Sequence, residues 1–227
     1  SAEVTGHWSP GVGRIDAIEV DPNNSSIIYC GSPSGGLWKS IDGGSNWDPM
    51  TDHLPIIGVS GIAIDPNNSN IVYIATGDKD ASSVYSIGVL KSIDGGVNWL
   101  TTGLDWNIYS YRTIHKLLIH PTNSLILFAA TSQGLYKTID AGINWNIVLN
   151  SELEDIEFKP NNPGIVYGSG DGVVYKSIDG GDNFSATSAS ISGRTMITVT
   201  PANPDYLYVM SVSSGIYRSA DSGDTYT

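Results

Sequence analysis

Four aromatic residues fall in the two longest irregular stretches of the sequence and could form a binding surface. They are Tyr85, within residues 77–87, and Trp106, Tyr109 and Tyr111, within residues 101–112. Aromatic rings beside polar groups suit sugar faces or peptide segments, because they are amphipathic and lose little conformational entropy on binding. The alternative is that these rings only pack the two stretches against each other.

Metal-ligating residue types are sparse. Asp78 and Asp80 could bind a hard cation through their oxygens, but the Asp-Lys-Asp segment lacks the further ligands of a calcium loop. The four histidines are scattered along the chain, and the sequence has neither a phosphate-binding loop nor a nucleophile elbow. We therefore expect no metal site, no cofactor and no catalytic residue.

The elements that must position these residues are set by a nine-residue motif, which we call the box. Its pattern is [KR]-[ST]-x-D-x-G-x-[NT]-[WFY], and its five copies are residues 39–47, 91–99, 137–145, 176–184 and 218–226. Glycine permits the positive φ of a tight turn, and the aspartate can accept backbone N–H groups of that turn. The box is therefore interpreted as a scaffold hairpin rather than as a catalytic motif.

The box belongs to a longer repeat of four short strands. A phrase ending in Pro-Asn-Asn or a close variant, as in Asp21–Asn24, precedes each box at a nearly constant distance, and only the second copy carries an insertion. Apolar and β-branched residues alternate between clusters of Gly, Pro and Asn, with no helical periodicity. Four-stranded units of about 40–50 residues are typical of β-propellers.

The sequence predicts an all-β protein, a β-propeller of four-stranded antiparallel blades that make up a single domain. Five blades are predicted, over about residues 14–51, 58–102, 112–149, 152–187 and 193–227. Residues 1–9 are predicted to form a strand that completes another blade, so we expect an incomplete ring. Five pairs of apolar residues on the first strands are expected between blades: Ile18/Val20, Ile62/Ile64, Leu117/Ile119, Ile156/Phe158 and Ile197/Val199.

The box copies resemble the Asp-box, or bacterial neuraminidase repeat, and the long unit is similar to the sortilin-like and xyloglucanase-like propellers. The segments Tyr73–Asp78 and Gly88–Ser92 are also similar to secreted propellers of gliding bacteria that use the type IX route. This resemblance covers nearly the whole chain. It implies a propeller with Asp-box hairpins, and export to the cell surface or the medium.

The resemblance also requires two enzyme activities to be considered, that of a sialidase and that of a xyloglucanase-like hydrolase. A sialidase needs a cluster of arginines, and Arg14, Arg112 and Arg194 all stand near the start of a first strand, but their registers differ and the sialidase motif is missing. These arginines are instead expected to anchor loops or to bind a ligand. A xyloglucanase-like enzyme needs two carboxylates across a glycan cleft, and the candidates are Asp16, Asp105, Glu152, Glu154 and Asp155. A solvated charged rim explains these acidic residues equally well.

The amino-acid composition limits the kinds of partner that the protein can bind. A net charge of −12 argues against binding to nucleic acid, whose phosphates attract Lys and Arg. A single cysteine, Cys30, excludes internal disulfides, and no apolar run is long enough to cross a membrane.

The function expected from the sequence is therefore that of a secreted or cell-surface binding module for glycan or protein. Its ligand would approach the variable loops around Tyr85, Trp106, Tyr109, Tyr111, Arg112, Arg14 and Arg194. A polysaccharide hydrolase, a structural spacer in a large adhesin and a passenger bound to its secretion machinery are the alternatives.

Overall fold

A computed structural model describes residues 13–81, 85–189 and 191–227 of the protein. The predicted strand in residues 1–9 lies outside these residues and stays a prediction. The described residues form five antiparallel sheets and one short 3-10 helix, Ile108–Ser110. No helix in these ranges is long and apolar enough to span a bilayer.

Each sheet is one blade, and its strands follow one another in chain order. Blade one contains β1 (Ala17–Val20), β2 (Ile28–Ser32), β3 (Gly36–Ser40) and β4 (Asp48–Pro49). Blade two contains β5 (Val59–Ile64), β6 (Val72–Thr76), β7 (Gly88–Ser92) and β8 (Leu100–Asp105). Blade three contains β9 (Ile114–Ile119), β10 (Leu127–Thr131), β11 (Gly134–Thr138) and β12 (Asn146–Leu149).

Blade four contains β13 (Asp155–Phe158), β14 (Val166–Gly170), β15 (Val173–Ser177) and β16 (Ser185–Ala186). Blade five has three described strands, β17 (Thr195–Val199), β18 (Leu207–Ser211) and β19 (Gly215–Ser219). The first strands contact each other in the order β1, β5, β9, β13, β17, so they line the central axis. The sheets confirm the predicted all-β propeller.

The core lies between blades rather than within them. Side chains of a strand alternate between two faces, and both faces of a middle blade are covered by its neighbours. We call the face that contacts the preceding blade the front face and the opposite one the back face. Ile62 and Ile64, on the front of blade two, pack with Tyr29 and Leu37 of blade one, and Leu117 of blade three packs with Ala63 of blade two.

Most of the residues predicted between blades are buried there, namely Ile62, Ile64, Leu117, Ile156, Phe158 and Ile197. Ile119 and Val199 are partly buried. The prediction is wrong for Ile18, which is 61% exposed, and for Val20, which is also exposed. These two residues lie on the front face of blade one, which no described blade covers.

Each box is a hairpin held by its aspartate. Asp42 accepts the backbone N–H of Asn46 at 2.9 Å, its side-chain amide at 2.7 Å and the Ser40 hydroxyl at 2.9 Å. Gly43 and Gly44 have φ of 72° and 90°. All five box aromatics are half-buried, and four of them pack at the edges of the blade interfaces, where they help to close the core: Trp99, Trp145, Phe184 and Tyr226.

The box aspartates make stability depend on pH. Hydrogen bonds from Asn46 and Asn98 lower the pKa of Asp42 and of Asp94 to about 2. Because an unfolded aspartate titrates near about 3.9, these carboxylates stabilise the fold above that pH, and their contribution is lost as the pH falls through about 2. We expect the free energy of unfolding to drop over this interval in urea titrations at successive pH values. The Asp42→Asn variant should show a shallower drop, and an equal drop in both proteins would contradict this role.

Candidate functional site

Three exposed tyrosines form a cluster on the variable face, the end of the propeller opposite to the boxes. The ring of Tyr85 lies 6.3 Å from that of Tyr109, edge to face, and 6.2 Å from that of Tyr111. Tyr109 is 70% exposed, and the other two are about half exposed. The structure thus brings together tyrosines from two stretches that the sequence only placed in neighbouring loops. We call Tyr85, Tyr109 and Tyr111 the tyrosine cluster.

The loop that carries Tyr109 and Tyr111 is shaped by its own hydrogen bonds. Asn107 caps the short 3-10 helix, because its side-chain oxygen accepts the N–H of Tyr109 at 2.9 Å and its carbonyl accepts the N–H of Ser110. Tyr111 follows in the left-handed region, with φ 53°. A non-glycine residue has a strained backbone in that region, and such strain is commonest at functional sites.

The loop that carries Tyr85 has a fixed base. The hydroxyl of Thr76 lies 3.1 Å from that of Ser86, donates to the Gly88 carbonyl at 2.9 Å and accepts the N–H of Ile87 at 2.9 Å. These contacts are buried between the ends of two strands. Tyr85 therefore lies directly beside a segment that these hydrogen bonds fix. Residues 82–84, which precede it, lie outside the described ranges.

Trp106 occupies a different environment from the tyrosines. It is only 7% exposed and packs with Val89, Leu104 and Ile114 in the core between blades two and three. Its ring meets the Tyr136 ring edge to face at 6.4 Å, and the Arg112 guanidinium lies 5.7 Å from its centroid. Trp106, which was predicted to bind ligand, is therefore part of the core, and Arg112, also predicted to bind ligand, is half-buried against its ring.

Arg14 and Arg194 lie elsewhere, at the mouth of the central axis. Arg14 pairs with Asp16 at 2.9 Å and with Asp78, and Arg194 pairs with Asp80 at 2.6 Å and with Glu154 at 2.9 Å. The Lys79 ammonium donates to the Asp16 carbonyl at 2.7 Å. The tip of the blade-two insertion is therefore tied to blades one and five. These arginines are engaged by carboxylates and are separate from the tyrosine cluster.

A charged cavity of about 230 Å³ lies below this mouth, between the first strands. Lys116 contacts Asp155 at 2.7 Å and Glu157 at 2.8 Å. Burial alone would lower the pKa of Lys116, but the two carboxylates outweigh it and raise that pKa. Glu19 lines the same cavity, and the surrounding protein displaces much of the water from its carboxyl group. This loss of solvation raises the pKa of Glu19 to about 7, although the positive charge of Lys116 opposes the shift. Sequence reasoning missed this cluster, because its members are far apart along the chain.

The carboxylates that the sequence offered as acid–base candidates lie in two different environments. Asp16, Glu154 and Asp155 make ion pairs or hydrogen bonds at the axis, whereas Asp105 and Glu152 are exposed. Burial raises the pKa of Asp16, although Arg14 opposes the shift.

In the part of the chain that the structure describes, two groups of side chains have ligand atoms close enough to hold an ion: His115 with Glu152 and Glu154, and Asp16 with Asp78 and Asp80. The His115 ring, however, already hydrogen-bonds Thr113 at 2.8 Å and the Leu153 carbonyl at 2.9 Å. The three aspartates of the other group contact Arg14 or Arg194. These pairings account for both groups without an ion.

Comparison with known proteins supports the fold. A xyloglucanase from Hypocrea jecorina is 51% identical over 43 residues, which are 18% of this chain and 5% of that protein. An ancestral GH74 enzyme superposes with a TM-score of 0.74 at 20% identity, over 90% of this chain and 30% of its own. The Niastella koreensis GH74 enzyme superposes with a TM-score of 0.73 at 24% identity, over 96% of this chain and 37% of its own.

The chain is a β-propeller. It spans less than half the length of these relatives. At these identities the solved structures show the fold alone, and no family model matches the sequence.

Proposed function

We propose that this propeller is a non-catalytic binding module whose tyrosine cluster binds a neutral glycan. The observation that carries the proposal is the exposure of three tyrosine rings from two neighbouring loops, with Tyr85 beside both Tyr109 and Tyr111 and with Tyr111 in a left-handed backbone conformation. Tyrosine offers an apolar face for a sugar ring and a hydroxyl for its polar rim, with few torsions to immobilise.

The class of glycan follows from charge and from the local likeness. A net charge of −12 opposes binding of polyanionic polysaccharides, so a neutral chain is favoured. The short match to a xyloglucanase makes xyloglucan the first polymer to test. A protein ligand remains the alternative for the same surface.

The experiment is affinity electrophoresis in gels that contain xyloglucan, compared with gels that contain an anionic polysaccharide. Xyloglucan should retard the wild-type protein, and the Tyr109→Ala/Tyr111→Ala double variant should bind at least about tenfold more weakly. Ile178→Ala is the matched control, because Ile178 is an exposed apolar residue on a box. Equal retardation of all three proteins, or the absence of retardation by any neutral glycan, would contradict the proposal.

A polysaccharide hydrolase is the second candidate, and the xyloglucanase match favours it. Its carboxylate pair would include Asp16 and Glu154 at the mouth of the axis, and burial raises the pKa of Asp16, which is the direction that a general acid requires. A reducing-end assay on xyloglucan tests this candidate. Turnover that Asp16→Asn abolishes while the fold survives would favour the hydrolase over the binding module.

Export to the cell surface by a type IX-like route is a further part of the proposal. It rests on the resemblance of residues 73–92 to exported propellers. Fractionation of the source cells, followed by immunoblotting, tests it, and retention of the protein in the cytoplasm would contradict it.

A further inference from the structure

The charged cavity at the axis is lined by residues from all five blades. They include Glu19 of blade one, Ser60 of blade two, Lys116 of blade three, Asp155 of blade four and Arg194 of blade five. Lys79, from the insertion in blade two, lines the cavity as well. Six separate segments of the chain thus converge on one small space, and none of these residues belongs to the tyrosine cluster.

Carboxylates outnumber cationic side chains in and around this cavity. Arg14, Arg194 and Lys116 each contact two or more carboxylates. Lys79 is a fourth cation, and its ammonium donates to a backbone carbonyl. Seven carboxylates lie among these four cations: Asp16, Glu19, Asp78, Asp80, Glu154, Asp155 and Glu157. The axis therefore has a surplus of negative charge, which favours a cationic ligand.

Of these seven carboxylates, Glu19 alone has no ion-pair partner in the described part of the chain. The charges that act on it are those of Lys116 and Glu157, and Lys116 is already held by Asp155 and Glu157 at 2.7 and 2.8 Å. The raised pKa of Glu19, about 7, reflects a carboxylate whose charge is poorly compensated. Glu19 is accessible to solvent, so a ligand can reach it.

Two buried polar atoms on the lining have no hydrogen-bond partner within the described ranges. They are the Oδ2 atom of Asp16 and the hydroxyl oxygen of Ser60. The Asp16 side chain is 1% exposed, and Ser60 is also 1% exposed. Buried polar groups are normally paired, and a carboxylate oxygen can only accept hydrogen bonds. These two atoms therefore indicate a ligand that brings hydrogen-bond donors.

The cavity suits an organic cation better than a metal ion. Ile62, Leu117 and Met196 give part of the lining an apolar surface, which an alkyl chain can cover. Glu19 belongs to neither of the two described groups of side chains whose ligand atoms lie close enough together for an ion. A primary ammonium carries three N–H donors on one compact charge. The volume of about 230 Å³ limits the ligand to a small amine or to a single inserted side chain.

We propose that the axial cavity is a binding site for a primary ammonium group on an alkyl chain, with Glu19 as its counter-ion. The alkyl chain packs against Ile62 and Leu117, and further N–H groups of the ligand donate to the unpaired atoms of Asp16 and Ser60. A free alkyl diamine and a lysine side chain of another protein both present this chemistry. The site is separate from the tyrosine cluster and does not depend on a glycan ligand.

The test is a titration of the 227-residue protein with pentane-1,5-diamine, followed through the methyl NMR signals of Ile62 and Leu117. We expect saturable shifts of these signals, and none with pentane-1,5-diol, which has the same length but no charge. A capped tripeptide with a central lysine distinguishes the two sources of the group. Tighter binding of the tripeptide identifies a lysine side chain, and tighter binding of the diamine identifies a free amine; both results support the proposal.

Glu19→Gln removes the negative charge but keeps the size of the side chain. It should weaken the binding of the diamine at least about tenfold at about pH 8. Asp48→Asn is the matched control, because it removes one negative charge from an exposed position on the outer strand of blade one. Screening by salt limits the effect of such a distant charge, so the affinity of this control should change by at most about twofold.

The affinity should also depend on pH through Glu19. An ammonium ligand requires the ionised carboxylate, and with a pKa of about 7 Glu19 is mostly protonated at about pH 6 and mostly ionised at about pH 8. We expect the wild-type protein to bind the diamine about tenfold more tightly at the higher pH, and Glu19→Gln to lose this difference. His115 also lines the cavity but is retained in Glu19→Gln, so the variant separates the two titrations.

Three results would overturn the proposal. The first is the absence of saturable shifts with both the diamine and the tripeptide. The second is equal binding of the diamine and the diol, because charge would then play no part. The third is an unchanged affinity in Glu19→Gln when its methyl spectrum shows the wild-type fold.

Discussion

Replacing Trp106 with alanine is expected to lower the free energy of unfolding by about 3–5 kcal/mol. The ring is buried between blades two and three, where it contacts Leu104 and Ile114, meets Tyr136 edge to face and lies beneath the Arg112 guanidinium. Its removal leaves a cavity that a close-packed sheet interface cannot fill. Urea unfolding, followed by circular dichroism, measures the loss.

Tyr109→Ala is the matched control for Trp106→Ala, because Tyr109 lies three residues away but is mostly exposed. We expect it to change the stability by no more than about 0.5 kcal/mol. A comparable loss of stability in the two variants would contradict the division between a buried core residue and an exposed binding surface.

Replacing Asp155 with alanine is expected to have a similar effect, about 3–5 kcal/mol. One oxygen of this buried carboxylate accepts the N–H of Ile156 at 2.8 Å and the Lys116 ammonium at 2.7 Å. The other accepts the N–H of Ile197 at 3.0 Å, from blade five. Removing the carboxylate leaves buried backbone groups without acceptors and takes one of the two partners from Lys116.

Glu152→Ala is the control for Asp155→Ala. Its side chain is half exposed, and its carboxylate lies 3.9 Å from the His115 ring. We expect a change of at most about 0.5 kcal/mol in the free energy of unfolding. Full stability of Asp155→Ala in the same urea titration would show that the axial network does not hold blades three to five together.

Sequence reasoning was strongest where the signal was local and repeated. The box motif specified a hairpin, because the aspartate, the glycines and the closing aromatic all act within nine residues, and Asp42 makes the contacts expected of it. Alternation of apolar residues predicted the buried faces of Ile62 and Ile156. Five repetitions of one pattern also indicated the propeller, since a single blade cannot cover its own faces.

Sequence reasoning was weakest where distant segments meet. Arg194 pairs with Asp80 across 114 residues, and no periodic pattern indicates that an insertion in blade two reaches blade five. The burial of Trp106 beside the exposed Tyr109 depends on the path of one loop turn, in which Tyr111 adopts a left-handed conformation. The exposure of Ile18 depends on what lies beside blade one rather than on blade one itself.

Hydrogen–deuterium exchange with and without xyloglucan oligosaccharides shows whether the tyrosine cluster is the binding surface. We predict slower amide exchange in residues 85–87 and 105–112 on addition of the oligosaccharide, with the box hairpins unchanged. Protection confined to the boxes or to the first strands at the axis, or the absence of protection at saturating concentrations of oligosaccharide, would show that the tyrosine cluster is not the binding surface.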